Sequence, residues 1–332
     1  MRAAALVLLA SLLAPVPRAG AGDDPPPFRI AARIPLPGVK GRIDHLALDA
    51  AGARLFVACI ENATVEVVDL KAGKRVQTLE GIGEAAGVAW LPGAKRLAAS
   101  SGTEGTLLLY DGEGELKKAG AVPLGEDADN VRGDPDGKRV WVGSGSGALS
   151  AVDGEKRERV LQVPLPGHPE AFELDPAGPL AFVNVPTVGK VVVVDRERKA
   201  VVKEIPLEGA AANFPMALDS ARKRLFVGCR RPGRILVLDA GSGASVATLE
   251  GPGDMDDLFL DGAKGRLYAS AGDGTVATFE RGEGDRWRAL PSVKTAPGAR
   301  TSLWVEGTRT LYVAAPKRGE PEAAVLVLEA AP

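Results

Sequence analysis

Short runs of hydrophobic residues, separated by polar turns, follow one another along almost the whole chain. One run returns seven times with the same pattern: an aliphatic residue, usually preceded by Arg, begins a stretch of apolar and small residues. The leading residues are 42, 43, 40, 45, 42 and 44 positions apart, and they are Leu55, Leu97, Val140, Leu180, Leu225, Leu267 and Leu311. A period in the low forties predicts an array of supersecondary units that pack on one another.

Residues 43–84 show what one unit contains. Alternating apolar positions predict four strands, A to D, at 43–48, 54–59, 64–69 and 75–79. Gly, Asp and Asn occupy the intervals, where turns require them. We find no convincing helical period after residue 21, so each unit is expected to be a four-stranded antiparallel meander.

Seven such units predict an all-β, seven-bladed β-propeller, in which radial closure leaves only short sheet edges. The last unit ends after the strand at 323–329 and has no fourth strand of its own. The segment 28–34 precedes the first strand A and has the composition of a strand. We therefore expect it to pair outside strand C of blade 7 and close the ring, within a single domain over residues 22–332.

The first residues have the pattern of a secretory signal peptide. Arg2 precedes an apolar stretch at 3–13, prolines follow, and small residues at 19–21 resemble a cleavage site. We expect residues 1–21 to be removed near Ala21 and the protein to be periplasmic or secreted. No later stretch is long and apolar enough to span a membrane.

Composition narrows the list of partners. The net charge is −2, the basic residues are scattered through turns, and aromatic residues make up 5% of the chain, so we expect no nucleic-acid partner. We expect a monomer. Cys59 and Cys229 occupy equivalent positions in the first and fifth units, too far apart for a disulfide. Two separate buried thiols are the favoured interpretation, and a reactive or metal-binding pair is the alternative.

Three segments carry a resemblance to a known family: RLFVACIENATVEVVDLKAGKRVQTLEG, LAFVNVPTVGKVVVVDRERKAVVKEIPLEG and RLFVGCRRPGRILVLDAGSGASVATLEG. They resemble the YVTN-type repeats of YncE-like exported bacterial proteins, and the resemblance extends over residues 28–329. It implies a propeller fold and a binding or surface role. Related propellers include lactonases and streptogramin lyases, so the resemblance leaves an enzyme open.

Variation on the repeated scaffold predicts the site. In a propeller the D–A and B–C connections share one rim, and here the D–A connections follow no common template. The positions that open strand A in blades 1 to 7 are Asp44, Ala86, Asp129, Glu170, Phe214, Asp256 and Arg300. The positions that follow are His45, Gly87, Asn130, Ala171, Pro215, Asp257 and Thr301. These side chains are expected to converge on the channel mouth, beside His168.

Three interpretations of this ring remain open. In the first, the Asp and Asn residues cap backbone N–H groups. In the second, Asp129, Glu170 and Asp256 bind a hard cation such as Ca²⁺ or Mg²⁺, helped by Asn130 or Asn213. In the third, Arg300 binds the carboxylate or phosphate of a small ligand. The predicted ligand-binding residues are Asp44, Asn130, Asn213, Asp257, Arg300, Arg230 and Arg231.

We therefore predict an exported binding or scaffold protein that engages a small molecule or a protein partner at this rim. The alternative is a metal-assisted, lactonase-like hydrolase or lyase, in which His45 or His168 is the catalytic acid or base. An enzyme needs the acidic, histidine and arginine side chains in one pocket, whereas a scaffold does not.

Overall fold

The computed structural model describes residues 25–145 and 147–331, which form seven four-stranded antiparallel sheets. Each sheet is one blade, and the innermost strand of every blade contacts the innermost strands of both neighbouring blades. The blades therefore close into a ring, and the predicted seven-bladed β-propeller is confirmed. The expected signal peptide, residues 1–21, lies outside the described residues.

The strands of the first four blades follow one another along the chain. Blade 1 consists of β2 (Ile43–Asp49), β3 (Arg54–Cys59), β4 (Thr64–Asp69) and β5 (Lys74–Glu80). Blade 2 consists of β6 (Ala85–Leu91), β7 (Arg96–Ser101), β8 (Thr106–Asp111) and β9 (Lys117–Pro123). Blade 3 consists of β10 (Ala128–Gly133), β11 (Arg139–Ser144), β12 (Ala148–Asp153) and β13 (Glu158–Pro164). Blade 4 consists of β14 (Phe172–Leu174), β15 (Leu180–Val185), β16 (Lys190–Asp195) and β17 (Ala200–Pro206).

The last three blades include the closure of the ring. Blade 5 consists of β18 (Ala211–Asp219), β19 (Arg224–Arg231), β20 (Gly233–Asp239) and β21 (Ser245–Glu250). Blade 6 consists of β22 (Met255–Asp261), β23 (Arg266–Ala271), β24 (Thr275–Arg281) and β25 (Trp287–Lys294). Blade 7 consists of β26 (Ser302–Val305), β27 (Thr310–Ala315), β28 (Ala324–Ala330) and, from the other end of the chain, β1 (Phe28–Pro35).

Strand β1 pairs with β28 as the sequence predicts. The antiparallel register runs from Phe28 opposite Ala330 to Pro35 opposite Ala324. Beyond the strand, the Leu36 N–H donates to the Ala323 carbonyl at 2.8 Å. The two ends of the described chain are thus joined in one sheet, which closes the ring.

Hydrophobic clusters are shared between neighbouring blades. In one of them Phe56 and Val67 of blade 1 pack with Leu97 and Leu108 of blade 2. Most of the leading aliphatic residues are fully buried, but Leu180 is only half-buried. Its blade is one residue short in the A–B turn. Since each cluster needs two blades, no blade can bury its apolar surface alone.

Arginines at the start of the second strand connect neighbouring blades. The Arg54 guanidinium is ion-paired with Asp49 at 2.8 Å and also donates to the carbonyls of Gly112 and Gly114 in blade 2. Arg224 forms the same kind of link from blade 5 to Asp285 in blade 6, at 2.9 Å. These links explain why Arg so often precedes the repeated apolar run.

The two cysteines are free and buried, which confirms the expectation of separate thiols. Burial raises the pKa of the Cys229 thiol to about 11 and raises that of Cys59 further. Both thiols are therefore protonated at neutral pH, and a protonated thiol is a poor nucleophile.

Helical structure in the described ranges is limited to three single turns of 3₁₀ helix, at Ile60–Asn62, Pro186–Val188 and Glu306–Thr308. None of the described helices has the length and apolar character needed to cross a membrane.

Candidate functional site

A β-bulge places the strand-opening residues at the rim of the channel. In five blades the pairing of the first two strands changes register so that two residues of the first strand face one residue of the second. These two residues occupy the positions that the sequence comparison singled out, and the single facing residue is Ala58, Ser100, Gly143, Gly228 or Ser270. Bulges redirect side chains and often lie beside functional sites. Here they turn a variable pair of residues toward the channel mouth.

A pocket of about 280 Å³ lies at this mouth, and we call it the mouth pocket. Six of the seven strand-opening residues line it: Asp44, Asp129, Glu170, Phe214, Asp256 and Arg300. The remaining lining residues are Arg42, His45, Asp127, Asn130, His168, Ala171 and Arg230. The predicted convergence of both histidines with the acidic and arginine side chains therefore occurs in one pocket.

One side of the mouth pocket is a network of arginines and aspartates. Asp256, which is buried, contacts Arg230, lies 2.9 Å from Arg300 Nε and lies 3.9 Å from Arg42 Nη2. Arg300 also contacts Asp254 at 3.2 Å. The structure thus pairs Asp256 with guanidinium groups rather than with the other two carboxylates predicted to bind a cation with it.

Aromatic and acidic side chains hold two of these arginines in place. The Arg230 guanidinium carbon lies 3.8 Å from the centre of the Phe214 ring, within the range of a cation–π contact. Arg42 donates to both carboxylate oxygens of Asp44, at 3.1 and 3.3 Å. Burial raises the pKa of Asp44 to about 6. The arginine side of the mouth pocket is therefore internally neutralised.

The opposite side carries carboxylates and His168. The His168 Nδ1 donates to the Gly145 carbonyl at 3.0 Å and lies 3.4 Å from Asp127, and Nε2 lies 3.7 Å from Asp129 Oδ2. The neighbouring Asp129 carboxylate raises the pKa of His168 to about 9. Burial, with the nearby Asp129 charge, raises the pKa of Glu170 to about 7. In the described part of the chain, one group of His, Cys, Asp or Glu residues has the spacing of a metal site: Asp129, His168 and Glu170.

His45 lies where the mouth pocket meets the channel. Its Nδ1 is 3.5 Å from Asp257 Oδ1, and the other oxygen of Asp257 accepts the Ser302 N–H at 2.7 Å. Burial by itself lowers the pKa of His45, but Asp257 and Asp44 together raise it to about 9. His45 is therefore an imidazolium at neutral pH, and Asp257 serves as its counter-ion.

Below His45 the channel widens into a cavity of about 570 Å³ lined by the innermost strands. Trp90 and Trp304 give it aromatic surface, and Arg132 and Glu173 give it charge. Burial raises the pKa of Glu173 to about 7, although Arg132 opposes the shift.

Three predicted ligand-binding residues do not line the mouth pocket: Asn213, Arg231 and Asp257, the last of which lines the channel cavity instead. The Asn213 amide is buried and donates to Asn184 Oδ1 at 2.9 Å and to the Lys190 carbonyl at 3.0 Å, so it stabilises the junction of blades 4 and 5. Arg231 lies at the exposed end of β19. Two neighbouring residues of this B–C turn therefore point in different directions: Arg230 folds over Phe214, whereas Arg231 faces solvent.

Five charged residues of the mouth and channel were missed by the sequence analysis: Arg42, Asp127, Arg132, Glu173 and Glu306. Arg42 and Asp127 belong to D–A connections, so reading those connections in full would have included them. Arg132 and Glu173 lie two positions after Asn130 and Ala171, on the face of the strand that turns toward the channel.

Comparison with known proteins identifies the fold of this chain but does not identify a family or a function. No family model and no curated protein matches the chain. A chain of hydrazine synthase from Kuenenia stuttgartiensis superposes with a TM-score of 0.73 and 16% identity, over 89% of this chain and 98% of that one. A chain in the crystal structure of a mitotic checkpoint complex superposes with a TM-score of 0.77 and 15% identity, over 98% of each chain. The chain is similar to both in fold alone.

Proposed function

We propose that this protein is an exported β-propeller binding protein that holds a small polar ligand in the mouth pocket. The observation that carries the proposal is that side chains from six blades converge on one pocket of about 280 Å³. Convergence of polar groups in a concave pocket is the usual sign of a ligand site. A purely structural capping role would not require the bulges to turn their side chains toward one point.

The charges of the mouth pocket indicate what the ligand carries. Five carboxylates and three arginines line it. The arginines contact Asp44, Asp254 and Asp256, and His45 is paired with Asp257, so on the other side the cation in direct contact with Asp127 and Asp129 is His168. We therefore expect the ligand to present positive charge to the side formed by Asp127, Asp129 and Glu170.

Calorimetric titration and thermal melting test this proposal. The ligands tested are a panel of small ammonium compounds: amino acids, linear diamines and betaines. The dicarboxylate succinate is the anionic compound with which they are compared. We expect at least one ammonium compound to bind and to raise the melting temperature, with binding reduced tenfold or more in Glu170→Gln. Glu250→Gln is the matched control, because Glu250 is exposed on the outer strand of blade 5 and should leave binding unchanged. Failure of every ammonium compound, together with binding of succinate, would contradict the charge argument.

A metal-assisted hydrolase or lyase is the second candidate. It is favoured by one observation, that His45, His168, Asp129, Glu170 and Arg300 all line the same pocket. Arg300 is ion-paired with Asp254 and Asp256, which opposes the expectation that it binds the carboxylate or phosphate of a small ligand. Lactone hydrolysis measured with added Ca²⁺ or Mn²⁺ tests it, and absence of turnover across a panel of lactones would reject it.

Export and kinship are proposals that rest on the sequence. The signal-peptide pattern of residues 1–21 supports a periplasmic or secreted protein. The amino-acid sequence of the repeats supports a relation to YVTN-type propellers. Amino-terminal sequencing of the protein recovered from an osmotic-shock fraction tests export, and a mature chain that still begins at residue 1 would contradict it.

A further inference from the structure

The carboxylate and histidine side of the mouth pocket has the arrangement of a metal site. One ligand atom from each of Asp129, His168 and Glu170 lies within 4.8 Å of the other two. Metal–ligand bonds of about 2.0–2.2 Å place the ligands of one tetrahedral cation about 3.5 Å apart. Small side-chain rotations would therefore place all three atoms at bonding distance from one metal ion.

The orientation of His168 is the one that metal-binding histidines adopt. A carbonyl oxygen can only accept a hydrogen bond, so the contact with Gly145 at 3.0 Å requires His168 Nδ1 to carry the proton. The other nitrogen, Nε2, then faces Asp129 Oδ2 at 3.7 Å. Histidines that bind metals usually donate from one ring nitrogen to a backbone carbonyl or a carboxylate, which fixes the tautomer and leaves the second nitrogen for the cation.

An unpartnered buried oxygen supplies an independent indication. Asn130 lines the same pocket, is 2% exposed, and its Oδ1 has no hydrogen-bond partner among the described residues. The amide of Asn130 lies beside the cluster, because its Nδ2 is 3.5 Å from Asp129 Oδ2. A buried acceptor without a donor is rare in folded proteins and calls for an explanation. Turning the amide so that Oδ1 takes the place of Nδ2 beside Asp129 would let a cation at the cluster provide the missing partner.

We propose that Asp129, His168 and Glu170, with the amide oxygen of Asn130, bind one divalent first-row metal ion at the mouth of the channel. The imidazole ligand suits Zn²⁺ and the oxygen ligands beside it also suit Mn²⁺, whereas Ca²⁺ and Mg²⁺ prefer shells made of oxygen alone. This ligand set includes His168 and excludes Asp256, which is held by arginines. The inference rests on the proposed function, because it names a metal ion as the positive charge that this side of the mouth pocket receives.

Titration with ZnCl₂ and with MnCl₂ alone tests the inference, using chelator-treated protein without a polyhistidine tag. We expect one ion per chain, a higher melting temperature with the ion bound, and binding at least tenfold weaker for CaCl₂ and MgCl₂. His168→Ala and Asp129→Asn should each weaken binding at least tenfold, and Glu250→Gln should not. Asn130→Asp adds a charged ligand at the unpartnered position and should tighten binding.

The outcomes separate this inference from the proposed function. Absence of binding by both metal ions overturns the inference, and so does binding that persists unchanged in Asp129→Asn and His168→Ala. If the metals fail but an ammonium compound binds and depends on Glu170, the proposed function stands and the metal site falls. Circular dichroism of each variant shows whether it is folded, and Asn130→Asp keeps the inference testable if the alanine variant is not.

Discussion

Gly87 of blade 2 packs against the backbone of the strand that carries Asp129, one of the candidate metal ligands. It is the second bulge residue of β6, and a Cβ atom added there would lie 2.2 Å from the Asp129 carbonyl oxygen and 2.8 Å from the Val131 amide nitrogen. Both contacts are with backbone, so no flexible side chain can move aside. We therefore predict that Gly87→Ala destabilises the propeller and disturbs the mouth pocket together.

The magnitude follows from the distance. Ordinary contact begins at 3.4 Å, so the strand that carries Asp129 must move by about 1.2 Å, and such overpacking of a well-packed interior costs about 1–3 kcal/mol. That cost corresponds to a fall in melting temperature of roughly 1.5–5 °C for a chain of this size. Thermal melting followed by circular dichroism measures it directly. Zinc titration of the same variant should show weaker binding, because Asp129 is displaced.

Gly307→Ala is the matched control. Gly307 lies in a turn where an added Cβ would meet nothing within 4 Å, so its melting temperature should stay within about 1 °C of the wild type. A Gly87→Ala protein that melts with the wild type would refute the argument that backbone contact at this position is close. Loss of stability without any change in zinc binding would show that the strain relaxes away from Asp129.

Three further predictions address the scaffold and its charges. Deleting Phe28–Pro35 removes the closing strand and should lower the melting temperature sharply; an unchanged melt would contradict closure. Arg54→Met leaves Asp49 buried without its partner and should cost about 3 kcal/mol in urea unfolding; a loss below about 1 kcal/mol would contradict the link between blades. Because the pKa of His45 is raised in the folded state to about 9, its stabilising contribution is complete below pH 6.5 and lost as the pH rises through 9. His45→Gln should remove that part of the slope of melting temperature against pH, and an identical slope would contradict the pairing with Asp257.

The strand pattern could be predicted from the sequence almost to the residue. The second strand of blade 1 was expected at 54–59 and is found at Arg54–Cys59, and the third at 64–69 is found at Thr64–Asp69. The closing strand was also expected and found. These predictions succeed because burial in a propeller repeats with the chain, so the same apolar pattern is required in every blade.

The candidate site was predicted only in outline. Comparing the repeats identified the positions that open the first strand of each blade. The bulge that turns those side chains toward the channel could not be predicted, because no single residue type marks it in the sequence. Asp256 of blade 6 pairs with Arg230 of blade 5. This pairing depends on the ring, which brings the two blades together. Asn213 illustrates the limit, since a residue at a loop near the rim was interpreted as a ligand and is instead hydrogen-bonded between two blades.

The sequence by itself determined the number of blades, the strands within each blade and the closure of the ring, because each depends on apolar residues that recur along the chain. Only the tertiary structure decided which polar side chains neutralise one another and which remain available at the mouth pocket. Asp129, Glu170 and Asp256 look equivalent in the repeats, yet three arginines surround Asp256 while the other two face His168. Charge interactions act through space between different blades, and the order of residues within one blade does not record them.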